Sequence, residues 1–119
     1  MEIIRTHKDL QVYKLAFQAA VEIYQISIYF PPEEKYSLTD QIRRSSRSVC
    51  ANTTEAFRKR RYPKSFIAKL SDAETEAAET QVWLDFSLEF NYIVNEKHTL
   101  IYDKYDHILS PTGHHDQFT

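Results

Sequence analysis

Residues 38–64 read LTDQIRRSSRSVCANTTEAFRKRRYPK. Apolar and small side chains recur there on one roughly 100° arc, which predicts a helix from Leu38 to Arg58 with a single packed face. That face is small and polar for a buried surface, and its members are Leu38, Ile42, Ser45, Val49, Asn52, Thr53 and Ala56. We therefore expect a neighbouring helix to approach closely at Ser45 and Ala56.

The same stretch holds eight of the chain's fifteen Lys and Arg residues. Some lie on the helix side opposite the packed face, and the others form the following turn: Arg43, Arg44, Arg47, Arg58, Lys59, Arg60, Arg61 and Lys64. In one interpretation, this surface binds RNA or DNA, with Phe57 and Tyr62 stacking on exposed bases. In the other, the chain is an oligomeric scaffold for another protein and binds no nucleic acid, and its arginines serve its own salt bridges or subunit contacts.

The acids for such pairing lie in the next predicted helix, which runs from Lys64 to Phe90. Its middle carries Asp72, Glu74, Glu76 and Glu79. If the two helices pack antiparallel, these carboxylates lie beside Arg43–Arg47. Residues 71–119 hold ten acids against Lys97 and Lys104, so charge is strongly segregated along the chain.

Two further helices flank this pair, one from Lys8 to Tyr29 and one from Asn95 to Leu109. One glycine and four prolines are too few for a β-rich fold, which needs many turns. The pattern predicts an all-α, antiparallel up-down-up-down four-helix bundle. We expect one domain over residues 1–109 and a flexible polar tail over residues 110–119.

The first helix carries two apolar stripes, although a surface helix of a monomer normally shows one. One stripe contains Leu10, Tyr13, Phe17, Ala20, Val21, Tyr24 and Ile28, and the other contains Val12, Ala16, Ala19, Ile23, Ile26 and Phe30. The end of the third helix adds a second apolar group. We predict a homo-oligomer interface of Val12, Ala16, Ile23, Val82, Trp83, Phe86 and Phe90. The alternative is that the fourth helix alone covers the group at residues 82–90.

No catalytic, metal or cofactor site is expected. Glu-x-x-His spacing, typical of di-iron bundles, is absent, and the one glycine cannot form a phosphate-binding loop. His114, His115 and Asp116 fall in the predicted tail, where a solvated role is expected. The lone Cys50 suits a partly buried thiol in a reducing cytoplasm, and no apolar run is long enough for a membrane span. We therefore expect a cytoplasmic protein that is not an enzyme.

Several blocks of the sequence resemble a known bacterial family of four-helix bundles. The similarity runs from about Leu10 to Tyr105 and is most specific at residues 41–45, 52–55, 79–86 and 91–93. The family is described through proteins encoded by intervening sequences inside 23S ribosomal RNA genes. Ala56 and Asn91 stand where that family commonly has glycine.

The resemblance implies an antiparallel bundle that assembles into a ring, often a homopentamer. It also implies a relation to the accessory protein of diversity-generating retroelements, which binds nucleic acid and a reverse transcriptase. The partners expected from it are therefore further copies of the chain, RNA or DNA, and a protein partner.

Overall fold

The computed structural model describes residues 3–110 and shows four helices packed as an antiparallel bundle. Their bounds are Gln11–Ser27 for α1, Leu38–Arg58 for α2, Pro63–Glu89 for α3 and Asn95–Leu109 for α4. Short 3-10 turns at His7–Asp9 and Pro32–Glu34 precede α1 and α2. The described residues form no strand, so the predicted all-α bundle is confirmed. The predicted tail, including His114, His115 and Asp116, lies outside the described residues apart from Ser110.

α1 begins three residues later than the periodicity predicts. The Asp9 carboxylate accepts hydrogen bonds from the backbone N–H groups of Arg5 and Thr6, at 2.9 and 3.0 Å. These bonds close a separate 3-10 turn, and extended backbone at Leu10 separates the turn from α1. The predicted bounds of α2 and α4 agree with the structure.

Each helix packs against two neighbours. α1 and α3 both contact α2 and α4, which gives a bundle of 44 × 27 × 21 Å. Its largest fully buried aliphatic and aromatic side chains are Leu10, Val12, Ile23, Ile42, Val49, Leu84, Ile101, Tyr105 and Ile108. All four helices contribute to the main core, and Leu10 and Val12 form a second, smaller cluster with Phe57.

A fully buried polar contact joins α2 to α3. The hydroxyl oxygens of Ser45 and Thr80 lie 2.8 Å apart, and both residues are fully buried. The Thr80 hydroxyl also lies 2.8 Å from the backbone carbonyl of Glu76. A contact this short needs small side chains on both helices, which confirms the close approach predicted at Ser45.

The predicted interface on α1 is wrong, because the structure buries the stripe that was expected to contact another copy. Val12, Ala16 and Ile23 are at most 2% exposed and pack inside the chain's own bundle. The stripe expected to face the core instead remains largely at the surface, with exposed side chains at Phe17, Val21, Tyr24 and Ile28. Ala16 and Ala19 explain this choice, because small residues let α1 lie close to its neighbours whereas Phe17 and Tyr24 would hold it away.

α3 ends in a Schellman motif centred on Asn91, the one non-glycine residue with positive φ (62°) among residues 3–110. The Tyr92 N–H bonds the Ser87 carbonyl at 2.9 Å, and the Asn91 N–H bonds the Leu88 carbonyl at 3.0 Å. Asparagine tolerates this left-handed conformation better than other side chains that carry a Cβ. The exchange of glycine for Asn91 therefore preserves the turn.

Replacing Asn91 with alanine should lower the free energy of unfolding by about 1 kcal/mol, because alanine pays the full steric cost of the left-handed region. Asn91→Gly should leave it unchanged or raise it slightly. Thermal or urea denaturation followed by circular dichroism measures both variants. Equal stability of the alanine and glycine variants would contradict this explanation of the turn.

Candidate functional site

The antiparallel topology separates charge between the two ends of the bundle. One end contains residues 5–9 and 58–64, which together hold seven basic residues against Asp9. We call these two segments the basic end. The other end contains residues 28–40 and 85–97, which hold six acids against Lys35 and Lys97.

Sequence reasoning missed Arg5 and Lys8 as members of the basic end. Both are exposed, and both lie about fifty residues from the α2–α3 turn along the chain. Packing of Leu10 and Val12 against Phe57 brings their segment to that turn. The sequence could have indicated these two residues, because the predicted antiparallel bundle places the start of α1 beside the end of α2.

Arg44 is neutralised within the chain. Its guanidinium lies 3.5 Å from a Glu76 carboxylate oxygen and 3.3 Å from one of Glu79. Desolvation raises the pKa of the Glu76 carboxyl, and the Arg44 charge opposes that rise. The prediction of pairing with the acids of α3 is therefore confirmed for Arg44, which leaves it less available to an external anion.

Arg43 and Arg47 belong to the junction of α2 with α1. The Arg43 Nε donates to the Ser27 hydroxyl at 2.7 Å, and its guanidinium carbon lies 4.8 Å from the centre of the Tyr24 ring. Arg47 lines a groove of about 420 Å³ together with Tyr13, Phe17, Ala20, Val21, Tyr24 and Cys50. Both arginines therefore border an apolar surface that lies apart from the basic turn.

Burial raises the pKa of the Cys50 thiol to about 11. At neutral pH the sulfur is therefore protonated, and a protonated thiol is a poor nucleophile. Cys50 also contacts the main core from the floor of the α1–α2 groove. These surroundings fit a packing role.

Arg60 forms part of the end of α2. Its Nη1 donates to the Phe57 backbone carbonyl at 2.9 Å, and its guanidinium carbon lies 4.1 Å from the centre of the Phe57 ring. Phe57 is only 3% exposed. The prediction that Phe57 stacks on exposed bases is therefore wrong, because its ring is buried between Arg60 and the core.

The remaining cations of the turn point outward: Arg58, Lys59, Arg61 and Lys64. None of the four forms a salt bridge with another residue in the 3–110 range. Glu55, the nearest acid in sequence, instead pairs with Lys69 at 2.7 Å. The turn thus presents four positive charges that have no counterion among residues 3–110.

Two apolar surfaces flank α2. The α1 surface consists of the exposed side chains of Phe17, Val21, Tyr24 and Ile28. The α3 surface consists of the exposed side chains of Val82, Phe86 and Phe90, with half-buried Trp83 at its base. The alternative that α4 alone covers the second group is wrong, because Val82, Phe86 and Phe90 all remain more than 40% exposed.

Each apolar surface borders its own groove, and the two grooves lie on opposite sides of α2. Arg47 and Cys50 line the groove beside the α1 surface. Leu38 and Gln41 line a groove of about 440 Å³ beside the α3 surface. Leu38 precedes Arg47 by nine residues, and Gln41 precedes Cys50 by the same number. Nine residues are two and a half helical turns, so the two residues of each pair lie on opposite sides of α2.

Residues 3–110 contain no group of three or more His, Cys, Asp or Glu side chains placed to hold a metal ion. Over the same range, no helix has both the length and the apolar composition that a membrane crossing requires.

The family comparison matches nearly the whole chain. A family profile described as "23S rRNA-intervening sequence protein" matches residues 8–111. A comparison with curated proteins gives no match. Among solved structures, the chain is similar to a protein of unknown function from the S23 ribosomal protein family of Bacteroides thetaiotaomicron. The two are 31% identical with a TM-score of 0.73, and the match covers 82% of this chain and 88% of that one. The chain therefore belongs to the family of 23S rRNA-intervening sequence proteins.

Proposed function

We propose that this chain is a non-enzymatic, ring-forming bundle that binds RNA or DNA through its basic end. The observation that carries the proposal is the contrast between two sets of cations. Arg44 is held by two carboxylates, whereas Arg58, Lys59, Arg61 and Lys64 have no acidic partner in the described part of the chain. Uncompensated charge at one end of a rod-shaped bundle favours a polyanionic ligand.

The chemistry expected of such a surface is mainly electrostatic. Each cation that neutralises a phosphate releases a condensed counterion, so affinity falls steeply with salt. Arg5 and Lys8 extend the surface, while Arg60 supports it by closing the end of α2 over Phe57. Contacts of Lys and Arg with phosphates carry no sequence information, so we expect weak sequence preference.

The triple variant Arg58→Gln/Arg61→Gln/Lys64→Gln tests this proposal. It should weaken binding to RNA at least about tenfold at low salt and reduce the salt slope by about two to three units, since each lost phosphate contact removes nearly one. Fluorescence anisotropy with labelled RNA, titrated with salt, measures both quantities. Circular dichroism should show an unchanged fold, because all three side chains are exposed.

The control variant is Lys35→Gln/Lys97→Gln, which removes positive charge from the opposite end of the bundle. It should leave the salt slope unchanged. Negligible affinity of the unaltered protein for RNA and DNA at low salt would refute the proposal, as would equal losses in the two variants.

Self-assembly rests on the two apolar surfaces. Because they lie on opposite sides of α2, a contact of the α1 surface with the α3 surface of a second copy is heterologous, and such contacts close into rings when the rotation permits. Charge supports this pairing, since Arg43 and Arg47 border one surface, while Glu89 is exposed on α3 between Phe86 and Phe90 of the other. Five copies is the number that we expect from the family resemblance.

A second candidate function is an oligomeric scaffold for another protein, without nucleic acid. The position of Arg43 and Arg47 against the α1 surface favours it, because these arginines then serve contacts between protein chains. The two candidates separate cleanly by experiment. In the scaffold, the triple variant of the turn leaves partner binding unchanged and the unaltered protein has no affinity for RNA or DNA, whereas in the nucleic-acid-binding ring the triple variant weakens RNA binding.

A further inference from the structure

Tyr62 is the exposed aromatic side chain of the α2–α3 turn. It is 62% exposed, whereas Phe57 is buried. Its backbone is fixed on both sides: the Tyr62 N–H donates to the Lys59 carbonyl at 2.8 Å, and the Tyr62 carbonyl accepts from the Phe66 N–H at 2.8 Å. The ring therefore stands on a defined backbone at the first turn of α3.

Cations surround this ring. The Lys59 Nζ lies 5.8 Å from the ring centre. Arg61 and Lys64 flank Tyr62 in a shallow depression of about 420 Å³ that Pro63 and Ser65 complete. An aromatic face between positive charges offers a stacking surface for a planar base and contacts for the phosphates on either side.

Duplex and single-stranded nucleic acids differ in what they can offer to this arrangement. A duplex keeps its bases stacked in its interior and presents phosphates to a protein end of this kind. An unpaired strand also presents base faces, and stacking of a base on an aromatic side chain is largely independent of sequence. The exposed ring therefore adds affinity only when a base is free to reach it.

We propose that the α2–α3 turn binds single-stranded nucleic acid in preference to duplex, with one base stacked on Tyr62 and the adjoining phosphates on Arg61 and Lys64. This inference rests on the proposed function and specifies the class of nucleic acid that the basic end takes. The same chemistry is available from single-stranded RNA and from single-stranded DNA.

The test compares Tyr62→Ala with the unaltered protein on three labelled ligands: oligouridylate, oligothymidylate and a duplex, each of about 20 nucleotides or base pairs, a length that exceeds typical single-strand site sizes. Tyr62→Ala should weaken single-strand binding by about 5- to 150-fold, the range that loss of one stacked base gives. Tyr62→Phe should retain single-strand affinity, and duplex affinity should be the same for all three proteins. A difference in affinity between the two oligonucleotides shows which strand is preferred, and oligodeoxyuridylate, which lacks the thymine methyl group, shows whether the sugar is the cause.

Tyr36 provides a matched control at the acidic end. It is also highly exposed, and the Lys35 Nζ lies 5.2 Å from its ring centre. Tyr36→Ala should leave binding of all three ligands unchanged.

Each outcome separates this inference from the broader proposal. If Tyr62→Ala binds single strands normally while the triple variant of the turn does not, the stacking inference is wrong and the electrostatic proposal stands. Equal losses on duplex and single strand would also overturn the inference. Absence of binding to every ligand at low salt refutes both.

Discussion

Replacing Phe86 with glutamate is expected to convert an assembled protein into monomers. Phe86 lies at the centre of the α3 surface, with ring centres 6.1 Å from Trp83 and 5.7 Å from Phe90, and it is 44% exposed in the isolated chain. Burial of a large aromatic contributes about 1.5–3 kcal/mol, and an unpaired carboxylate in an apolar contact adds a desolvation penalty of several kcal/mol. Each 1.4 kcal/mol weakens a contact about tenfold, so every contact in a closed assembly should fail at micromolar concentration.

Light scattering coupled to size exclusion measures the expected change in mass. Leu100→Glu is the matched control, because Leu100 is also a half-exposed apolar residue but lies on α4, outside both apolar surfaces. It should leave the mass unchanged. A monomeric unaltered protein, or a Phe86→Glu variant that keeps its full mass, would show that the α3 surface is not a contact between copies.

Replacing Ser45 with leucine is expected to cause the largest loss of stability among the changes described. Ser45 is fully buried where α2 meets α3, with its hydroxyl oxygen 2.8 Å from that of Thr80. Forcing a large side chain into a packed core costs about 1–3 kcal/mol, and loss of the hydrogen bond adds about 1 kcal/mol. The free energy of unfolding should therefore fall by about 2–4 kcal/mol, a large part of the total for a small domain.

Urea denaturation followed by circular dichroism measures this loss. Ser71→Leu makes the same chemical change at an exposed position of α3 and should alter stability by less than about 0.5 kcal/mol. Similar unfolding midpoints for the two variants would mean that α2 and α3 can move apart without cost.

The fold was predictable because four periodic segments and their breaks determine it. The bounds of α2 and α4 follow from apolar spacing, and Pro63 marks the start of α3. The orientation of α1 was not predictable in the same way, because both of its stripes are apolar and periodicity does not rank them. Side-chain size decides which stripe is buried, because Ala16 and Ala19 fit a close helix contact, whereas Phe17 and Tyr24 do not.

The sequence predicted that a basic surface exists, but it did not predict which of its side chains are free to bind a ligand. A run of Arg and Lys at a helix end indicates a basic surface, but it does not say which cations are already engaged. Arg44 and Arg60 are held by contacts to residues that only the fold brings near, namely the acids of α3 and the ring of Phe57. Tyr62, by contrast, was recognisable as exposed because it lies in a polar turn.

The opposite charges at the two ends of the 44 Å bundle also govern how the molecule meets a polyanion. Near such a polymer the electric field exerts a torque on the chain and turns the basic end forward before contact, which raises the fraction of collisions that arrive in a productive orientation. This pre-orientation reaches about 10 Å at 0.1 M salt and about 3 Å at 1 M salt. In the proposed complex the bundle would stand end-on, with the Asn91 turn and its neighbouring carboxylates as the outer tip.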